Sequence, residues 1–183
     1  VIEMASAAGI TLLSENERNP MHTTTYGVGQ MIADAISHGC RNFIIGIGGS
    51  ATNDGGIGCL QALGFDMLDS DGKQVEFGAT GLSQLSYISD NNVLHCLSEC
   101  RFQIACDVTN PLYGENGCSA VFAPQKGADS AMVAEMDEYM KKYAELTKGF
   151  NPTANPETVG AGAAGGLGFA FVSYLNASLE SGI

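Results

Sequence analysis

The stretch from Phe43 to Gly58, FIIGIGGSATNDGGIG, gathers glycine, hydroxyl, amide and carboxylate residues between two apolar patterns. Phe43 to Ile47 reads as a buried strand, and Ile57, Leu60 and Leu63 recur at helical spacing. Ser50, Thr52, Asn53 and Asp54 therefore fall in the turn between strand and helix. A helix N-terminus presents unpaired amides and a partial positive charge, and glycines such as Gly48 and Gly49 let an anion approach the main chain closely. Phosphate or carboxylate is the ligand class this chemistry favours. Two other readings stay open. Gly46 to Ala51 satisfies the loose dinucleotide pattern G-x-G-x-x-G/A, with Asp66 where a ribose-binding carboxylate is expected, and a glycine turn can be purely structural. Against the dinucleotide, the turn is crowded with polar side chains, and Asp54 would repel a pyrophosphate. It is not a Walker loop, since no lysine stands in it.

Two further loops carry candidate chemistry. Asp107 ends the apolar run Arg101 to Cys106 and is followed by Thr109, Asn110 and Pro111. A carboxylate at the end of a buried strand projects into the crevice where α/β sheets collect their ligands. It can act there as general base or metal ligand, or it can simply cap the turn. Lys126, in Pro124-Gln125-Lys126-Gly127, offers positive charge or an ordinary solvated side chain. The glycine-dense run from Gly160 to Gly168 suits either a second anionic group or close helix packing. Arg18 with Thr23, Thr24 and Thr25 suits a small hydroxy acid, the guanidinium for its carboxylate and the threonines for its hydroxyls; helix capping is the alternative.

The elements that must hold these loops follow from periodicity. Val28, Met31, Ile32 and Ala35 define a helix from about Tyr26 to His38 behind threonine hydroxyl caps, with Gly39 as its stop. A second runs from Gly56 to Leu63, closed by Gly64. Phe65 to Leu68 and Gln74 to Phe77 read as strands joined by an Asp71-Gly72 hairpin turn, Ala120 to Phe122 as a brief strand, and Gly78 to Asp90 as a loop with short turns. The longest amphipathic pattern, Ala131 to Thr147 with Asp129 or Ser130 as cap, presents Met132, Val133, Met136, Tyr139, Met140, Tyr143 and Leu146 to a core. A last helix covers Phe169 to Leu179. Strands interspersed with helices, plus one hairpin, predict an α/β fold with a mixed sheet flanked by helices, built by residues 1–183 as a single domain.

Bulk properties narrow the partners. A chain of 183 residues with 45% hydrophobic content is neither too short for a core nor too polar to fold. A net charge of −12 argues against nucleic acid and anionic membranes, which require a basic face, and the longest uncharged runs are broken by glycine, asparagine and serine and cannot cross a bilayer. The six cysteines form no CxxC pair and lie mostly in apolar runs, as buried reduced thiols do, and the three histidines do not join them in metal-ligand spacing. The opening Val1-Ile2-Glu3-Met4 reads as the end of a strand and Gly182-Ile183 follows a helical pattern, as in an excised portion of something longer.

Taken together, Arg18-Asn19-Pro20 with Thr23 to Gly27, Ile45 to Gly56, Ala105 to Leu112, Val121 to Ala128 and Gly160 to Gly168 resemble the bacterial glycerate kinases of the class I type over nearly the whole chain. The resemblance implies a cytoplasmic enzyme that uses ATP and Mg²⁺ to phosphorylate D-glycerate at its 2-hydroxyl. Members of that family are roughly twice this length and have two α/β domains, one flavodoxin-like and one inserted, so this chain corresponds to the central, inserted one. A secondary alcohol is a poor nucleophile, so such a site needs a carboxylate for its proton and positive charge for the transferred phosphoryl group. Asp107 is the expected base, with Asp54 as substitute or Mg²⁺ contact. Ser50, Thr52, Asn53, Asn110 and the Gly48 and Gly49 amides are the expected holders of glycerate or phosphate, and Arg18 or Lys126 the neutralising cation. A homodimer is compatible with the sequence. The rival functions are a dinucleotide-binding oxidoreductase domain and a non-catalytic anion-binding module.

Overall fold

The computed structural model describes residues 1–181; Gly182 and Ile183 lie outside the described residues. In chain order the elements are β1 (Ile2–Glu3), α1 (Ala5–Ala8), α2 (Tyr26–Ser37), β2 (Asn42–Gly46), α3 (Ile57–Ala62), β3 (Asp66–Leu68), α4 (Ala79–Gln84), β4 (Tyr87–Ser89), β5 (Arg101–Ala105), α5 (Cys118–Phe122), α6 (Ser130–Phe150), α7 (Ala163–Leu175) and β6 (Ser178–Glu180). Four strands form a parallel sheet in the order β1-β2-β5-β6, while β3 and β4 form a separate antiparallel pair. The α/β expectation holds, with parallel and antiparallel pairing divided between two sheets. Parallel strands place all their carboxyl ends on one edge, and the loops singled out by sequence leave from that edge: residues 47–56 after β2 and 106–117 after β5.

Phe43, Ile45, Phe102 and Ile104 alternate onto one face and are buried, with the Phe43 and Phe102 rings stacked at a centroid distance of 5.0 Å. One apolar cluster runs from there through Leu60, Met67, Tyr143 and Phe169, joining both sheets to α6 and α7.

Several elements differ from the sequence expectation. Residues 120–122 are the end of a helix, not a strand, because Gly117 and the Cys118-Ser119 pair start a turn that buries both side chains. The Asp71-Gly72 turn forms, with Asp69 N–H donating to Lys73 O at 2.8 Å, but its return strand makes only the Leu68–Gln74 bridge. The ladder partner of β3 is β4, inside the segment expected to be a loop. The last helix stops at Leu175, where Asn176 turns left-handed (φ 51°) and leads into β6. Of the cysteines, Cys59 and Cys118 are buried, Cys96, Cys100 and Cys106 half-buried, and Cys40 exposed. Asp129 does cap α6, accepting from Met132 N–H at 2.8 Å.

Asp54 is the polar pin of the interior. Fully buried, its carboxylate accepts from Thr25 N–H at 2.7 Å, Thr25 Oγ1 at 2.8 Å and Gly56 N–H at 3.0 Å. Thr25 Oγ1 accepts in turn from Cys59 N–H at 2.9 Å. Thr25 thus stands at the start of α2 without capping it, and spends its hydroxyl tying α2 to α3. Burial raises the Asp54 pKa, and the donated Thr25 and Gly56 hydrogen bonds work against that rise.

Two outcomes follow. Asp54→Asn swaps an acceptor-only oxygen for an amide facing donors. It is expected to destabilise the fold by about 2–3 kcal/mol in urea titration, and an unchanged midpoint would contradict the pin. Ala164 sits in the left-handed region (φ 51°, ψ 41°), so Ala164→Gly is expected to raise stability by about 0.5–1 kcal/mol, where an ordinary backbone position would lose that much.

Candidate functional site

A cavity of about 320 Å³ opens at the carboxyl edge of the parallel sheet. Its walls come from Ile47, Gly48, Gly49 and Ser50 after β2, Ala105 at the end of β5 with Cys106 to Val108 after it, Gln125 and Lys126 after α5, and Ala163 and Ala164 at the start of α7. Carboxyl-edge crevices are where open α/β sheets bind ligands. A larger depression of about 970 Å³ lies at the opposite edge, beside Asn42 and Arg101 where β2 and β5 begin, and contains none of the candidate catalytic or binding residues. The smaller cavity is therefore the candidate site.

Sequence dictates its shape through backbone contact. The turn after β2 is clamped by the segment after β1, with Ile10 N–H donating to Gly49 O and Ala51 N–H to Ala8 O, both at 2.8 Å. Gly49 is left-handed (φ 71°), Gly48 and Gly49 are both exposed, and a Cβ built on either would meet open space. Neither amide meets an acceptor among the described residues. From the other side the glycine run of α7 is pressed onto the same loop: Gly55 N–H donates to Gly165 O at 2.9 Å, and a Cβ on Gly165 would lie 2.1 Å from Thr52 O. Ala164, Gly165 and Gly166 are consecutively left-handed, which makes this approach possible. Of the two readings of residues 160–168, close packing is what the contacts support.

Lys126 is the charged centre of the cavity. It is 2% exposed, and its ammonium donates to Ser50 Oγ and to Thr52 O, each at 2.7 Å. Desolvation pulls its pKa from 10.5 down to about 8, partly opposed by Cys118 and Asp54. Two of its three hydrogens are taken, leaving one N–H for a ligand. Because Ser50 Oγ accepts from the ammonium, its own hydrogen remains to be donated. Asp107, which is exposed, also lines the cavity.

The structure thus brings together Gly48, Gly49, Ser50, Asp107 and Lys126. The other candidates serve the framework. Asp54 is sealed in the interior with its oxygens engaged, and does not line the cavity, so no ion in the cavity reaches it. Thr52 offers its carbonyl to Lys126 while its side chain is buried. Asn53 is buried and donates to Ser119 Oγ at 2.9 Å. Asn110 donates to Asn116 O at 2.8 Å, and its carbonyl accepts from Gly162 N–H at 2.9 Å, fixing the α7 loop. Arg18 is half-buried outside the cavity lining, its carbonyl pressed against Gly127. Asp66 lies on β3, outside the parallel sheet, and is held by Gln74 and Asn92, which removes the ribose contact of the dinucleotide pattern. Sequence reasoning missed Ile10, Gln125 and the pair Ala163–Ala164; only the surrounding glycine density signalled the last.

Comparison with known proteins agrees with the resemblance. Residues 1–183 match the Glycerate kinase family. The chain is 47% identical over 182 residues to the glycerate 2-kinase of Escherichia coli K12 and 45% identical over 183 to a glycerate kinase of Bacillus subtilis 168. All of this chain is covered in both alignments, and 48% of each relative. A crystal structure bearing the name glycerate kinase 2 from Salmonella typhimurium LT2 superposes with a TM-score of 0.95 at 43% identity, over 98% of this chain and 48% of that one. The chain therefore spans about half the length of these relatives. Among the described residues no helix is long and apolar enough to cross a membrane. With Gly48, Gly49, Ser50, Asp107 and Lys126 gathered around one cavity and its whole length matched, the chain belongs to the glycerate kinase family.

Proposed function

We propose that this chain supplies the substrate- and phosphate-binding part of a cytoplasmic, ATP-dependent kinase that converts D-glycerate to 2-phospho-D-glycerate, and that residues 1–183 form its central α/β domain. The observation that carries the reading is the convergence of the exposed Gly48 and Gly49, a buried ammonium at Lys126 and a carboxylate at Asp107 on one small cavity. Its volume of about 320 Å³ suits a three-carbon acid with a phosphoryl group beside it.

The roles follow from charge. The ammonium and the two glycine amides hold negative oxygens, and the Ser50 hydroxyl adds a donor. These groups are fixed before the ligand arrives, so they lower the cost of charge developing on the transferred phosphoryl group. Asp107 takes the proton of the attacking hydroxyl. Bound ATP with Mg²⁺ would supply the phosphoryl group and shield its oxygens. Asp54 does not fit as a contact for that ion, being fully buried with its oxygens engaged; Asp107 is the acid that lines the cavity. The anion-binding module remains the second reading, favoured by the same amides and ammonium without the base.

A coupled ADP-release assay on the protein at its relatives' full length, with D-glycerate and identification of the product isomer, tests the activity. Consumption of ATP with 2-phospho-D-glycerate formed supports the kinase; glycerate binding without ATP consumption supports the module. Asp107→Asn in that protein is expected to lower kcat by about 10²–10⁴-fold, and near-normal turnover would refute the base. Lys126 carries a pH signature. Below about 8 it is charged, so D-glycerate affinity measured calorimetrically should be highest there and fall as pH rises through about 8. Lys126→Met should weaken binding about tenfold or more and abolish that dependence. The same depressed value makes the charged lysine a cost to folding below about 8, one that fades as pH climbs from about 8 toward 10.5.

A further inference from the structure

Lys126 is placed to act as a nucleophile as well as a cation. Its ammonium donates to Ser50 Oγ and to Thr52 O at 2.7 Å, and both acceptors are neutral oxygens. Cε and these two hydrogen bonds fill three of the four tetrahedral directions at Nζ, so the fourth holds the third N–H in the charged form and the lone pair in the neutral one. The same two bonds serve both forms. Desolvation brings the neutral form within reach by drawing the pKa down to about 8. The other lysines lack this setting: Lys73, Lys142 and Lys148 are exposed, and Lys141 pairs with Asp137 at 3.2 Å and with Glu138 at 2.6 Å. A desolvated lysine is the kind that condenses with carbonyl compounds. The part given to Lys126 in phosphoryl transfer uses only its charge and leaves the lone pair idle.

The cavity walls decide what could meet that lone pair. Gly48 and Gly49, exposed in the same cavity, suit a carboxylate, Ile10, Ile47 and Phe122 add an apolar lining, and about 320 Å³ admits a short acid. We propose that Lys126 forms a reversible imine with a short 2-oxo acid, the oxidised counterpart of the 2-hydroxy acid assigned to this cavity, and that the adduct closes the site to substrate. The inference deepens the proposed function and rests on the cavity being the glycerate site. In the reaction the Nζ lone pair bonds to the carbonyl carbon, and the carbonyl oxygen leaves as water with one hydrogen from nitrogen and one proton from solvent. The protonated imine keeps the positive charge and one N–H, for Ser50 Oγ or Thr52 O, and no oxidant or reductant is consumed. A 2-hydroxy acid has no carbonyl at that carbon and cannot react.

The test incubates the protein at its relatives' full length with hydroxypyruvate and cyanoborohydride, which reduces the imine to a stable secondary amine, and locates modified lysines by peptide mass spectrometry. The adduct on Lys126 is expected to exceed that on Lys73, Lys142 or Lys148 about tenfold or more, and to be suppressed by D-glycerate. Labelling of Lys126 no faster than of the exposed lysines would overturn the proposal, as would labelling that D-glycerate leaves undiminished. Calorimetry with D-glycerate alone separates this inference from the reading beneath it. Glycerate bound with no adduct at Lys126 refutes the imine and leaves the cavity's assignment standing, whereas neither binding nor adduct refutes both.

Discussion

The buried ammonium of Lys126, bonded to Ser50 Oγ and Thr52 O at 2.7 Å, is the contact on which the candidate site depends. Removing a charged amine from water costs several kcal/mol unless partners replace the lost solvation. Here the replacement is incomplete: two neutral oxygens accept, and no carboxylate pairs with the lysine among the described residues. The pKa falls to about 8 for that reason. A bound anion would restore what burial removed.

Holding the lysine there requires the backbone to be forced together around it. Gly127 turns left-handed (φ 96°) directly after Lys126, and a Cβ at that position would lie 2.3 Å from Arg18 O. The loop carrying Thr52 is closed from the far side by Gly165, and from within by Asp54. Glycine is used where one main chain touches another, and the acid is used where amides would otherwise be stranded. The rigidity of the site is thus built from contacts that a ligand never makes.

This division explains what could be read from sequence. The strands Asn42–Gly46 and Arg101–Ala105, the helix Tyr26–Ser37 and the long α6 carry their periodicity in their own residues. The polar types at 48–54, 107 and 126 were legible as chemistry. What could not be read is which polar residue faces the ligand and which faces the interior. Asp54 and Asp107 are the same residue in the same kind of strand-end loop, and only tertiary packing makes one a pin and the other part of a cavity wall. The β3–β4 pairing was hidden because three-residue strands carry too little alternation, and the helix at 118–122 because its burial, and not its propensity, selects it. Ala164 gave no signal at all, since a left-handed alanine is imposed by the glycines that follow it.

The most direct measurement is a crystal structure of the protein with D-glycerate bound, refined without assumptions about the ligand's place. The account predicts density in the cavity at the carboxyl edge of the parallel sheet, with a ligand oxygen within about 3 Å of Lys126 Nζ and of the Gly48 or Gly49 amide. Glycerate bound away from Lys126, with that ammonium still holding only Ser50 and Thr52, would contradict it.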